Sequence, residues 1–293
     1  MMRNRFTRLF RLNQILLAVV AGLIGPVAFG AEPAPSPAPA KRVVSLNLCT
    51  DQLLLALADP DQIAGLSPLA RDPLLSAMAE QAQAFRAIKP RSETLLQIQP
   101  DLVLAAPYEH RLTRRILADH RIETMTLGVW TDLEAGKEQI RELASRLGQS
   151  KRGQQLIDRI DQAMAGVTRV SAVRSMLEIE RRLYAPGTGS LVADLVRQWG
   201  LSNHADRLGV AQGGFVTLER LLGDRPDVLL VTDTSPVAED MGTALLRHPA
   251  LNRAFDEKRR IGIPTRLALC GGPQTPALIR HLSQALGLVR QAP

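Results

Sequence analysis

The chain of 293 residues has two thiols, Cys49 and Cys270. Three chemistries suit such a pair. An oxidising compartment would join them as a disulfide. They could stay separate as small inert apolar groups, or contact a ligand or soft metal in a cleft. Cys49 follows the apolar run Val43-Val44-Ser45-Leu46, in a turn from Asn47 to Thr50 that leads into a helix from Gln52 to Ala58. A thiol at a helix start has a lowered pKa and greater reactivity. Cys270 precedes Gly271-Gly272-Pro273 and the last helix. Nucleophilic use of Cys49 would need a histidine base, and His110, His120, His204, His248 and His281 offer none by position. Nor do these histidines pair at zinc-ligand spacing. No phosphate-binding loop occurs, Gly187-Thr188-Gly189 lacks the further glycine of a dinucleotide fingerprint, and no Gly-x-Ser-x-Gly elbow is present. The expectation is a binding protein without a cofactor, not an enzyme.

Two further groups suit recognition. Tyr108, Trp130 and Phe215 fall near the ends of expected strands. Their competing reading is ordinary core or rim packing, and Trp130 leans to it. Arg71, Arg111 and Arg266 are candidate anion clamps, since a guanidinium meets carboxylate or phosphate with two parallel hydrogen bonds. For each arginine taken separately, solvated surface charge is the plainer reading.

The elements that must position these groups are set by an internal duplication. Glu93-Thr-Leu-Leu-Gln-Ile-Gln-Pro100-Asp101-Leu-Val-Leu is echoed by Glu219-Arg-Leu-Leu-Gly-Asp-Arg-Pro226-Asp227-Val-Leu-Leu. Each copy reads as a short amphipathic helix, a Pro-Asp break and a buried strand. The second half opens with an expected strand at Arg182–Ala185, a turn at Pro186–Gly189 and a helix from Leu191 to Trp199. Alternating strands and helices predict an α/β protein of two Rossmann-like lobes with mostly parallel sheets. Ligands then sit beyond the carboxyl ends of the strands, which makes the loops 47–51, 106–110, 186–190 and 232–236 the expected cleft linings. Between the lobes, Leu133, Ile140, Leu143 and Leu147, then Leu156, Ile160, Met164 and Val167, repeat at helical spacing. The region reads as a long inter-lobe helix that would limit hinge closure, or as a packed surface helix.

The order of these elements resembles the helical-backbone class of periplasmic binding proteins, which serve ABC importers of cobalamin, iron–siderophore complexes and haem. The resemblance covers residues 42–290. It rests on Arg42-Val-Val-Ser-Leu, the Glu…Pro-Asp units, the connector, Trp199-Gly-Leu-Ser-Asn203-His-Ala and Gly272-Pro273. It implies that Glu93 and Glu219, one per lobe, dock onto arginines of an inner-membrane permease. A carboxylate in the first turn of a helix also suits the backbone dipole. It further implies a ligand site drawn from Cys49, Thr50, Tyr108, Gly187, Phe215, Arg266 and Cys270, with aromatics packing on a flat ligand. Corrinoids and ferric siderophores fit first and haem next. Haem would call for an axial Tyr or His, for which Tyr108 is the candidate. Rival functions are an exported Cys-dependent enzyme and a ligand sensor or store without a transporter.

The N-terminus supplies an address. Arg3, Arg5, Arg8 and Arg11 precede an apolar stretch from Ile15 to Gly25 and the small residues Ala28-Phe29-Gly30-Ala31. Residues 1–31 thus read as a signal peptide to the periplasm, with an uncleaved anchor as the alternative. Residues 32–41 read as a Pro/Ala-rich linker, 42–132 as the first lobe, 133–170 as the connector and 171–293 as the second lobe. Losing the four arginines lowers the formal net charge from +7 to +3. With aromatics at 3% and no basic run, nucleic-acid binding is not expected. A monomer is expected.

Overall fold

Short apolar runs that end at a turn signal become the strands. The computed structural model describes residues 38–167, 173–233 and 241–288. In its first half, β1 (Val43–Ser45), β2 (Ile63–Gly65), β3 (Leu102–Ala105) and β4 (Glu123–Thr126) form a parallel sheet in the order β2-β1-β3-β4. Parallel neighbours need crossover connections, and these carry α1 (Leu48–Leu57), α2 (Ala79–Ala82), α3 (Ser92–Ile98) and α4 (Arg111–Asp119). Helices α5 (Leu133–Arg146) and α6 (Ser150–Ala165) follow. The second half contains β5 (Ser175–Ile179), β6 (Tyr184–Ala185), α7 (Leu191–Gln198), β7 (Ser202–Asn203), β8 (Gly214–Phe215), α8 (Leu218–Gly223) and β9 (Val228–Asp233). It ends with α9 (Met241–Leu246), α10 (Pro249–Ala254), β10 (Arg260–Pro264), α11 (Thr265–Ala268) and α12 (Thr275–Ala285).

The second parallel sheet runs β7-β5-β9-β10. Both sheets therefore follow the same internal order, with the opening strand second from one edge. The opening strand of the second half is Ser175–Ile179, not the expected Arg182–Ala185. Tyr184–Ala185 instead pairs antiparallel with Gly214–Phe215 as a two-stranded ribbon outside the parallel sheet.

Side-chain alternation divides each sheet between two cores. Val44, Val103 and Ala105 face a core built from first-half residues, with Leu95 of α3 and Leu117 of α4. Leu177, Ile179, Leu229 and Val231 face a core of second-half residues, with Leu221 of α8 and Phe255. The opposite faces, Val43, Leu102 and Leu104 on one sheet and Met176, Val228 and Leu230 on the other, share a third core. Helices α1, α5, α6, α7 and α12 fill it with Leu53, Leu143, Ile160, Leu195 and Leu282. The connector is two helices rather than one. The chain turns at Gly148, whose φ of 73° closes α5 in a conformation that favours glycine, and α6 then packs against both α5 and α12.

The repeated Pro-Asp pairs do one job twice. The Asp101 carboxylate accepts hydrogen bonds from the backbone N–H groups of Lys41 and Arg42 at 2.7 and 3.0 Å, just ahead of β1. Asp227 accepts from Arg174 and Ser175 at 2.8 and 2.9 Å, at the start of β5. These bonds, led by that from Arg174, hold the Asp227 carboxyl below the usual carboxylate range. Each aspartate thus pins the opening strand beside the third strand of its own sheet.

Candidate functional site

The carboxyl ends of the two sheets meet at a covalent tie. Cys49, the second residue of α1, is bonded to Cys270, with Cα atoms 5.2 Å apart. Both sulfurs are consumed, so the readings of Cys49 as a free thiol, a metal ligand or a nucleophile fall away. The bridge borders a narrow recess lined also by Thr50, Leu127, Gly128, Val129, Trp130 and Gly271. Trp130 is its rear wall. The ring is 2% exposed and wedged between two glycines, so that a Cβ on Gly136 or Gly271 would fall 2.2 or 2.0 Å from it. Beside it, Asp194 of α7 accepts a hydrogen bond at 3.0 Å from the backbone N–H of Leu133, the first residue of α5. That N–H has no partner within its own helix. A disulfide, an aromatic wedge and a carboxylate cap thus join the halves at one place.

The start of α1 is equally committed. Asn47 caps it by accepting from the Thr50 N–H at 3.0 Å, and the Thr50 hydroxyl lies 2.6 Å from that of Ser45 and bonds Asn47. Thr50 is 1% exposed, so its hydroxyl is spent on the helix start even though it borders the recess. Asp51, in the same turn, accepts from both the N–H and the hydroxyl of Ser67, at 3.0 and 2.5 Å. Burial pushes its carboxyl up to about 7 against those bonds.

The other expected residues divide by exposure. Tyr108 stands 84% exposed after β3, and Phe215 is 64% exposed on the ribbon. Leu112, Val129 and Leu269 are exposed on neighbouring loops and helix starts beyond the strand ends. Arg266 in α11 and Arg111 at the start of α4 are exposed and make no hydrogen bond or ion pair with a described residue. Arg71 is not a free clamp, because its guanidinium donates to the carbonyls of Ala82, Gln83 and Phe85. Gly187 is buried in loop packing. At φ 85°, any Cβ there would sit 2.3 Å from the Ala211 carbonyl oxygen, and its own carbonyl accepts from Asn203. Trp130 is core, as its alternative reading had it. Glu93 and Glu219 occupy the first turns of α3 and α8 and are exposed.

Two features escaped sequence reasoning. Glu178 lies next to the carboxyl end of β5, where it accepts from the Ser190 hydroxyl at 2.9 Å, with the Thr232 hydroxyl at 3.5 Å. Burial pushes its carboxyl up to about 7. Arg182 and Tyr184 surround Phe215: the rings of Tyr184 and Phe215 meet edge-on at 5.3 Å, and the Arg182 guanidinium lies 5.5 Å from the Phe215 centroid. Neither carried a motif signal.

The expected signal peptide, most of the expected linker and residues 234–236 of one expected cleft loop lie outside the described residues. Among the described residues, no cluster of His, Cys, Asp or Glu could hold a metal ion, and no helix is long and apolar enough to cross a membrane.

Residues 43–267 match the family model described as periplasmic binding protein. A comparison with curated protein sequences gives no match. Among solved structures, the fold is similar to the apo form of the periplasmic heme-binding protein RhuT from Roseiflexus sp. RS-1, at 22% identity over 84% of this chain and 98% of that one, with a TM-score of 0.67. It is also similar to the periplasmic heme-binding protein HutB of Vibrio cholerae, at 16% identity over 84% and 98%, with a TM-score of 0.69. The periplasmic vitamin B12-binding protein BtuF of Vibrio cholerae aligns at 15% identity over 87% and 99%, with a TM-score of 0.59. With its two like-ordered sheets joined at their carboxyl ends, the chain belongs to the periplasmic binding protein family, as a binding protein rather than an enzyme.

Proposed function

We propose that the mature protein is the periplasmic solute-binding component of an ABC importer, and that it captures a flat, largely apolar ligand of the corrinoid, ferric siderophore or haem class. The observation that carries this reading is the set of large apolar side chains left in solvent beyond the strand ends. Tyr108, Leu112 and Val129 belong to the first half, and Phe215 and Leu269 to the second. Apolar groups exposed there are available to be buried against a ligand. Tyr108, Phe215 and Arg266 contact the ligand, while the Cys49–Cys270 bridge, Thr50 and Gly187 shape the floor and walls. Binding energy comes from apolar burial, and a few polar groups fix orientation. The N-terminal segment directs export and is cleaved, and the protein works as a monomer.

Delivery depends on Glu93 and Glu219, which meet basic residues of the permease. The test pairs binding with transport. Purified mature protein is titrated with corrinoids, haemin and ferric siderophores, and uptake is measured in cells carrying Glu93→Lys and Glu219→Lys together. The double variant should keep its ligand affinity and lose uptake. Undiminished uptake would remove the docking role, and failure of every ligand to bind would remove the ligand class.

A further inference from the structure

The turn that links β5 to the ribbon holds an unusual backbone. Arg182 and Leu183 are consecutive non-glycine residues at φ 62° and 56°. The left-handed region is costly for residues with a Cβ, and such conformations persist only where surrounding structure enforces them. Here the enforcement is visible. The Glu180 N–H donates to the Tyr184 carbonyl at 2.7 Å, and the Val216 N–H donates to the Leu183 carbonyl at 3.0 Å. The turn is thereby clamped between the end of the parallel strand and the ribbon.

What this arrangement delivers is the Arg182 guanidinium over an aromatic ring that faces solvent. Phe215 is steadied in turn by the edge-on contact with Tyr184. The cation has no carboxylate of its own: Arg182 makes no hydrogen bond or ion pair with a described residue. The carboxyl of Glu180, two residues earlier, is raised by burial alone. An exposed guanidinium held over a ring still has N–H donors to meet an anion with two parallel hydrogen bonds. The ribbon that carries this device has no counterpart among the described strands of the first half.

We infer that Arg182 is a specificity residue, reading an anionic substituent on the edge of a flat ligand that lies against Phe215. The inference rests on the cleft reading above and narrows it, since a planar ligand bearing carboxylate or catecholate charge is preferred over a neutral one of the same shape. The negative edge of the ligand lies toward the second half.

Matched pairs test this. Haemin is compared with its dimethyl ester, cobyrinic acid with its heptamethyl ester, and a ferric tricatecholate with a neutral ferric trihydroxamate, each by absorbance titration of the mature protein. The charged member of the pair that binds should be favoured by about ten- to a hundredfold, the range expected for one charged hydrogen-bonded contact. Arg182→Gln should bring the two members within about twofold of each other while the neutral member binds as before, and Arg182→Lys should keep part of the preference. The readout is a ratio, so a partly unfolded variant does not imitate the effect. Equal affinity for both members in the unaltered protein, or an equal loss for both in Arg182→Gln, overturns the inference and leaves the cleft reading standing. Binding of no member of any pair overturns both.

Discussion

Replacing Cys49 and Cys270 by serine cuts a tie that spans 221 positions of chain. The cross-link acts mainly on the unfolded state, whose freedom it restricts in proportion to the logarithm of the loop. For a loop of this length the chain-entropy relation gives about 18 cal/mol/K, or about 5 kcal/mol at 25 °C. That figure is a ceiling, and about 2–4 kcal/mol is usual for bridges of this kind. The assay is urea unfolding of the oxidised protein, the same protein with dithiothreitol, and the double serine variant. The last two should coincide, with a lower midpoint and a steeper dependence on urea, because their unfolded chains expose more surface. A single transition is expected in all three, since the third core is fed by both sheets. Coincident midpoints for all three samples would refute the claim that Cys49 and Cys270 are joined. Two separate transitions would refute the shared core.

Other perturbations follow from the same geometry. Gly271→Ala drives a Cβ to 2.0 Å from the Trp130 ring and should cost about 1–3 kcal/mol by overpacking, seen as a lower melting temperature with altered tryptophan fluorescence. Trp130→Ala should cost more, about 3–5 kcal/mol, through the void between Gly136 and Gly271. Glu178 is raised from 4.5 to about 7 in the folded state. Between those values the folded protein keeps a proton that the unfolded chain has released, so stability falls as pH rises through the window, by roughly 3 kcal/mol for this group. Glu178→Gln should flatten that part of the profile, leaving the shares contributed by Asp51 and Glu180; an unchanged profile in calorimetry from pH 4 to 8 would remove Glu178 as its source. Asp227→Ala should cost about 1 kcal/mol, and hydrogen exchange should quicken at Arg174 and Ser175, whose N–H groups it releases.

The duplication was legible because it is written in residue types with strict local meaning. Glu opens a helix, Pro ends it, and an apolar run follows. The job of Asp101 and Asp227 was hidden, because a carboxylate's distant backbone donors leave no local mark. The opening strand of the second half was misplaced for a physical reason. Ser175–Ile179 carries Glu178 as its fourth residue, and a buried carboxylate satisfied by Ser190 and Thr232 reads from sequence like a charge in solvent. Arg182–Ala185 reads as a strand from its Leu-Tyr pair, yet two of its residues, Arg182 and Leu183, sit in the left-handed region. Cys49 was expected in a turn ahead of its helix but is the second residue of α1, and its union with Cys270 required geometry that no spacing encodes. Arg71 resembled an anion clamp because its three carbonyl partners, at the end of α2 and just after it, are more than ten residues away.

The two sheets repeat one plan, but each keeps only one face to itself and lends the other to a common interior. A gene fragment encoding either half would therefore leave Val43, Leu102 and Leu104, or Met176, Val228 and Leu230, facing water across an open flank. Such pieces would clump or be degraded when made singly, and would fold on being mixed.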